Sequence, residues 1–235
     1  MNFEDLAERY DAWYQTPLGA LAHALEAEAI FALAEVKPGE RAVDIGCGTG
    51  IYALELVRRG ANVIGLDPSI EMLAIARARF QQAGLTGRFV CASAEDLPFR
   101  SEKFDLAVAV TSLCFVHRAE QAVQEARRIL NPGGRLVLGE LNRFSLWAFL
   151  RRLKGLFTDT IYNQAHFRSR RELERLLREN GLYPSAERIL LHFPPINLKT
   201  FLKRYRFFET VMRKLLPGAG AFIAVEAKRR DHHGR

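Results

Sequence analysis

The run Val43-Asp44-Ile45-Gly46-Cys47-Gly48-Thr49-Gly50 constrains this chain more than any other stretch. It reads as a short apolar strand, Arg41–Ile45, that runs into three alternating glycines and then into a helical pattern, Ile51–Arg59. Glycines at such a point let the backbone turn sharply and bring a ligand close to main-chain N–H groups at a helix N-terminus. A bare βα turn is the plainer alternative, and the surrounding pattern favours a ligand. A dinucleotide fingerprint, G-x-G-x-x-G, is not met, because the third glycine comes one residue early and Ile51 stands in its place. No Gly-Lys-Ser/Thr follows, so phosphate-loop chemistry is also excluded.

The pattern on either side repeats strand and helix in turn. Leu21–Leu33 has helical spacing and stops at Lys37-Pro38-Gly39. Asn62–Leu66 is a strand, Asp67-Pro68-Ser69 opens a helix through Gln82, and Arg88–Cys91 is strand three. Phe104–Val110 is an unbroken apolar strand of the kind buried on both faces of a parallel sheet. Ala119–Leu130 is helical, Asn131-Pro132-Gly133-Gly134 is a turn and Arg135–Leu138 is strand five. Strands alternating with helices predict a doubly wound α/β sheet. Beyond Asn142 the rhythm changes. A basic, aromatic stretch (Arg143–Phe157) precedes a helix opened by the capping box Ser169/Glu172 and closed at Gly181. Two late strands are expected near Glu187–Phe193 and Ala221–Ala227, with a second basic, aromatic helix, Leu198–Leu216, between them.

Charge divides along the same line. Residues 1–142 hold 14 Lys+Arg and 19 Asp+Glu, a net of −5; residues 143–235 hold 20 and 8, a net of +12. Such polarity suits nucleic acid, anionic lipid or an acidic substrate, or is only a soluble basic surface. With 49% apolar residues in 235, the chain can bury a full core and is not of disordered composition. No apolar run comes near the roughly 20 residues a spanning helix needs, and the acidic start MNFEDLAERY is not that of a secretory signal. Cys47, Cys91 and Cys114 are odd in number and form no C-x-x-C, so neither a disulfide framework nor a zinc module is expected, and the cytoplasm is the expected compartment. His232-His233 sits in a polar tail, and no metal site is expected.

Asp67 stands seventeen residues after Gly50, at the tip of the second strand, where an acid can accept hydrogen bonds from two ribose hydroxyls or serve a helix N-terminus. Strand three ends in the polar loop Ser93-Ala94-Glu95-Asp96-Leu97-Pro98-Phe99 at the same sheet edge. With these residues in place the chain resembles class I S-adenosylmethionine-dependent methyltransferases, close to the ubiquinone/menaquinone-biosynthesis-like group (methyltransferase type 11). VDIGCGTG is similar to that family's first motif, VIGLDPS to its second-strand acid, ASAEDLPF to its adenine loop, and FDLAVAVTSL and NPGGRLVLGEL to its fourth and fifth strands. The resemblance covers residues 36–142 and, less diagnostically, YDAWYQTPLG, which looks like a lid segment.

The resemblance implies a Rossmann-like seven-stranded sheet whose last strand is antiparallel, with a helical cap. Residues 1–35 would be lid helices, 36–142 the S-adenosylmethionine-binding core, and 143–235 basic cap insertions plus strands six and seven. It implies that Gly46, Gly48 and Gly50, with Cys47 and Thr49 between them, border the amino-acid end of S-adenosyl-L-methionine, and that Asp44 supports its ammonium. Asp67, with Pro68 and Met72 beside it, would take the ribose. Ser93, Ala94 and Glu95 would border the adenine, and Thr111 the methionyl moiety. Relatives commonly carry Asp or Asn where Ser93 stands; a serine can bond the adenine amino group but reaches less far, and the resemblance leaves Glu95 or Asp96 to contribute instead.

Methyl transfer needs alignment more than acid–base help, and a base only where the acceptor must lose a proton. Tyr10, Tyr14, His117, Glu140 and His166 are candidates, with His117 and Tyr14 foremost; for each, plain packing or a surface position is the alternative. Cys114 has no neighbour that would activate a thiolate and is read as packing. Tyr10, Trp13 and Tyr14 are expected as a lid, and Trp147 and His117 toward the substrate. The expected activity is methyl transfer to a small or lipid-like molecule. RNA methylation through the basic half is the alternative, and nucleic acid is not the expected partner, because the Asn/Asp-Pro-Pro-aromatic signature of DNA amino-methylation is absent after strand four. Written as a helix, Leu146, Phe149, Leu150, Leu153 and Phe157 form one apolar stripe with Arg151, Arg152 and Lys154 off it. Residues 201–216 repeat the chemistry. Either the two stripes pack on each other as a cap, or they meet an anionic membrane peripherally.

Overall fold

The computed structural model describes residues 12–155, 157–158 and 164–230. Residues 1–11, with Tyr10 among them, and the His232-His233 pair lie outside the described residues. Seven strands form one sheet in the order β3-β2-β1-β4-β5-β7-β6. They are β1 (Arg41–Ile45), β2 (Asn62–Asp67), β3 (Arg88–Cys91), β4 (Phe104–Val110), β5 (Leu130–Leu141), β6 (Leu182–Leu190) and β7 (Phe222–Arg229). All pairings are parallel except those of β7, which lies antiparallel between β5 and β6. The expected sheet, with its last strand antiparallel, is the one found.

Two layers of helix enclose it. On one face pack α1 (Pro17–Ala34) and α2 (Ile51–Arg58), with Ile30, Leu33 and Leu56 turned inward, joined by Phe80 of α3 (Ile70–Gln82). On the other lie α4 (Ala119–Ile129) and α6 (Arg170–Glu179), which bury Val123, Ile129, Leu173 and Leu177. In α4 the buried positions Ala119, Ala122, Val123, Ala126 and Ile129 follow helical spacing. The capping box of α6 forms as expected: Glu172 N–H donates to Ser169 Oγ at 3.3 Å and Ser169 N–H to Glu172 Oε2 at 2.7 Å. By length and mean hydropathy (1.3) α1 could cross a membrane, contrary to the expectation that no run could. Leu18, Ala22, Ile30 and Leu33 are nonetheless buried in the core.

Three elements depart furthest from those expected. The Asn131–Gly134 turn is an excursion inside β5, whose register on β4 shifts between Phe104↔Leu130 and Leu106↔Arg135. Strand six comes earlier, at Leu182–Leu190, because as the edge strand it tolerates Pro184 at a register shift and polar outward residues that hide the strand pattern. The helix expected over Leu198–Leu216 is two, α7 (Lys199–Leu202) and α8 (Tyr205–Leu215). In a continuous helix, rings seven residues apart sit about 10 Å apart along the axis; the break brings Phe201 to 4.7 Å from Phe208.

Residues 143–167, which include α5 (Leu146–Gly155), leave and rejoin the sheet at one point. Asn142 bridges Arg168, and Arg143 N–H donates to Arg168 O. Residues 192–220, carrying α7 and α8, close in the same way where Ala221 N–H donates to Leu191 O. Asn142 ties the two closures together: its backbone N–H donates to Ala221 O, and its side-chain amide to the carbonyls of Gly218 and Gly220.

Candidate active site

Strand order reverses between β1 and β4, and ligands of open α/β sheets bind outside the carboxyl ends of strands at such a point. There the chain leaves β1 through Gly46, Gly48 and Gly50, all left-handed at φ +71°, +51° and +78°. The N–H groups of Gly46 and Cys47 both donate to Leu66 O, which folds the loop over the end of β2. A Cβ on Gly46 would stand 2.4 Å from the Ser112 Cβ, and one on Gly50 3.0 Å from the Ala76 Cβ, whereas one on Gly48 would meet no protein atom within 4 Å. Two of the glycines are therefore required by protein packing and the third faces open space. Thr49 is buried, and both its carbonyl and its hydroxyl accept from Arg79 Nη1, at 2.6 and 2.7 Å.

The two acids lie under this loop. Asp67 Oδ2 accepts from Gly48 N–H and Oδ1 from Ser69 N–H, both at 2.9 Å, so the carboxylate sets the loop and the start of α3 together. Burial raises its pKa, against the pull of those two bonds. Asp44 is buried on β1, and its Oδ2 has no hydrogen-bond partner in the protein. Burial pushes its carboxyl up to about 7; a hydrogen bond from the Ala53 backbone opposes the rise and the charge of Asp67 adds to it. Between the acids, the Cys47 thiol is raised by burial and by both carboxylates, which makes it inert. Pro68 is exposed, and Met72 is half-buried with its N–H on the Ser69 cap. Ile70, which the sequence pattern did not single out, is a large apolar residue left exposed beside them.

Beyond β3 the loop is held by its own side chains. Ser93 Oγ accepts from Glu95 N–H, and Glu95 Oε1 accepts from Arg118 N–H at 2.7 Å, a bond that lowers the Glu95 pKa and pins the loop to the start of α4. Ala94 borders a gap of about 20 Å³ with Ile45, Ala109 and Ser112. After β4, Thr111 takes φ +49°, a strained value for a β-branched residue. Its N–H donates to Gly139 O, and Ser112 Oγ donates to Ile45 O at 2.9 Å, tying this turn to β1.

The structure gathers Asp44, the three glycines, Asp67 and the Thr111-Ser112 turn at one edge. The described acid–base and lid candidates differ in their settings. His117 and His166 are exposed. Tyr14 stands edge-on to His23 at 4.9 Å, in a cavity of about 550 Å³ between α1 and α2. Trp13 stands edge-on to Trp147 at 6.4 Å, and Trp147 is itself buried, with its indole N–H donating to Phe193 O. Glu140 is wholly buried at the end of β5, where Oε1 accepts from Leu113 N–H; burial pushes it up to about 8, against the influence of Arg168 and the neighbouring backbone bonds. It braces the turn beneath the site. Cys114, beside it, is buried as expected.

An orphaned carboxylate oxygen at Asp44, open space over Gly48 and an acid at the tip of β2 fit the ammonium, the amino-acid chain and the ribose of S-adenosylmethionine. The proton that Asp44 holds near neutrality gives a test of sign. A cationic ammonium binds the ionised form, so binding releases the proton at pH values below about 7. The affinity for S-adenosylhomocysteine is expected to fall as pH drops below 7, toward tenfold per unit. Calorimetry across pH should show this in the wild type, and a flat profile in Asp44→Asn. An equally steep fall in that variant would remove Asp44 from the role.

Comparison with known proteins agrees with this geometry. The methyltransferase domain family matches residues 43–138. An uncharacterized protein of Mycobacterium tuberculosis is 37% identical over 96% of this chain and 73% of its own length. The ubiquinone/menaquinone biosynthesis C-methyltransferase of Azotobacter vinelandii is 36% identical over 60% of this chain and 57% of its own. The crystal structure of an S-adenosylmethionine-dependent methyltransferase of Thermotoga maritima superposes with a TM-score of 0.71 at 28% identity, covering 97% of this chain and 98% of that one.

Proposed function

The chain belongs to the class I S-adenosylmethionine-dependent methyltransferases of the ubiquinone/menaquinone-biosynthesis-like group, and on that footing we propose that it methylates a small or lipid-like acceptor with an apolar body. One observation carries the reading. Phe115, just after β4, and Phe144, just after β5, are large apolar side chains left exposed at the carboxyl ends of the strands. These are the positions from which an acceptor would approach. S-adenosylmethionine, when bound, supplies an electrophilic methyl group, so the work left to the chain is to orient the acceptor and exclude water. In this reading residues 1–35 and 143–235 cover a core formed by 36–142. All three cysteines are free, which supports the cytoplasm as the place of action.

Incubation with methyl-labelled cofactor and a cell extract should leave label in the organic-soluble fraction. Phe115→Asp and Phe144→Asp should each raise the acceptor KM about ten- to hundredfold, the range of losing one buried aromatic contact, with S-adenosylhomocysteine affinity unchanged. Label recovered in RNA instead would overturn the reading in favour of the basic half as a nucleic-acid site.

A further inference from the structure

Outside the cofactor crevice, the cap turns its apolar stripes outward. In α5 the inward residues are Trp147 and Ala148, while Leu146, Phe149, Leu150 and Leu153 face solvent, with Phe149 60% and the following Phe157 81% exposed. In α8, Phe207, Val211 and Leu215 are exposed at i, i+4 and i+8, the first and last at 67% and 68%, and Leu216 continues the row. The two stripes therefore do not bury each other, as a closed cap would require. Both helices are mounted on Phe193, whose carbonyl takes the Trp147 indole N–H and whose ring lies 5.8 Å from Tyr205.

Charge on these helices is mostly positive. Residues 143–157 hold four cations and no acid; residues 196–216 hold six cations and one acid, Glu209. Glu209 is turned inward: Oε2 accepts from the N–H of His192 at 2.7 Å and of Phe193 at 3.3 Å, and Oε1 pairs with His192 Nδ1 at 2.9 Å. His192 Nε2 in turn faces Pro217 O at 3.1 Å. Burial alone would lower the His192 pKa, but Glu209 and the Pro217 carbonyl raise it against Arg213. The acid that would have offset the cations of α8 is thus used to fasten the helix, and Lys203, Arg204, Arg206, Arg213 and Lys214 are left on the outside with the apolar row.

We propose that α5 and α8 form a docking face for an anionic lipid surface. Large apolar patches rimmed by cations mark such faces. Aliphatic side chains such as Leu150, Leu153 and Leu215 gain from entering an acyl boundary and offer nothing to a phosphodiester or a base. The division of charge, −5 over residues 1–142 and +12 over 143–235, orients the molecule in the field of an anionic surface with the cap leading. The face does not depend on which acceptor is methylated, so its failure and that of the acceptor reading are separable.

The full chain should co-sediment with phosphatidylglycerol-containing vesicles at low salt and bind at least tenfold more weakly to pure phosphatidylcholine, or at high salt. Each of Lys203→Gln and Lys214→Gln should weaken binding about fivefold. The double variant Phe149→Asp/Phe207→Asp should lose at least tenfold, with melting temperature and S-adenosylhomocysteine affinity unchanged. Absence of binding to the anionic vesicles at low salt would overturn the proposal, as would binding that the double variant leaves intact. Tighter binding to RNA than to the vesicles would overturn it too.

Discussion

Asp67→Ala is expected to weaken S-adenosylhomocysteine binding tenfold or more. The carboxylate accepts from Gly48 N–H and Ser69 N–H, and these bonds place the glycine loop over β2 and fix the first turn of α3. The resemblance to the family also gives it the ribose hydroxyls. A hydrogen bond to a charged group contributes about 1.5–3 kcal/mol, and 1.4 kcal/mol is a factor of ten, so loss of a single such contact reaches the stated effect. Asp67→Asn keeps one acceptor oxygen and should fall between the wild type and Asp67→Ala. Calorimetric titration of the three proteins measures the series; unchanged binding in Asp67→Ala would sink the assignment, and equal or tighter binding of NAD by the wild type would do so more broadly.

The second large effect separates two glycines two residues apart in sequence and far apart in consequence. Gly46→Ala places a methyl group 2.4 Å from the Ser112 Cβ, and Ser112 cannot retreat without breaking its bond to Ile45 O. Left-handed backbone alone costs an alanine about 1–2 kcal/mol, and overpacking typically adds about 1–3 kcal/mol. Gly46→Ala should therefore lower stability by about 2–5 kcal/mol, seen as a lower denaturation midpoint. Gly48→Ala has the backbone cost but meets no protein atom, so it should stay within about 2 kcal/mol of wild type. Its methyl group enters the space left for the ligand, so its cofactor affinity should drop while the fold persists. If Gly48→Ala bound S-adenosylhomocysteine like the wild type, that space would not be the ligand's.

The core was legible because parallel strands buried on both faces are written as apolar runs cut off by glycine, proline and aspartate; β1, β3 and β4 begin and end where the residues suggest. The places of Asp44 and Asp67 were legible for a related reason, since Asp44 precedes the glycine turn that ends β1 and Asp67 stands where Pro68 ends β2. Long-range contacts were not. Arg79 reaches Thr49 from thirty residues away, and the burial of Glu140 under Leu113 depends on how β4 and β5 align. In the cap, the stripe on α5 was visible as a stripe. Which way it faced was decided by one indole N–H finding the Phe193 carbonyl, which turned Trp147 inward and the leucines out. The break between α7 and α8 lets Phe201 meet Phe208, a contact for which neither residue's neighbours give a sign.

The two closures at Asn142 bear on how such an enzyme can change over time. Each of the excursions 143–167 and 192–220 starts and finishes at a single backbone contact, and among the described residues no rung of the sheet lies within either. Doubling the length of a closed loop costs only about 0.6 kcal/mol in closure entropy. Insertions, deletions or wholesale exchange of either excursion therefore leave the register of β5, β6 and β7 as it is. The surfaces proposed for an acceptor and a membrane can drift, lengthen or be swapped between lineages while the strands that present Asp44 and Asp67 stay in step.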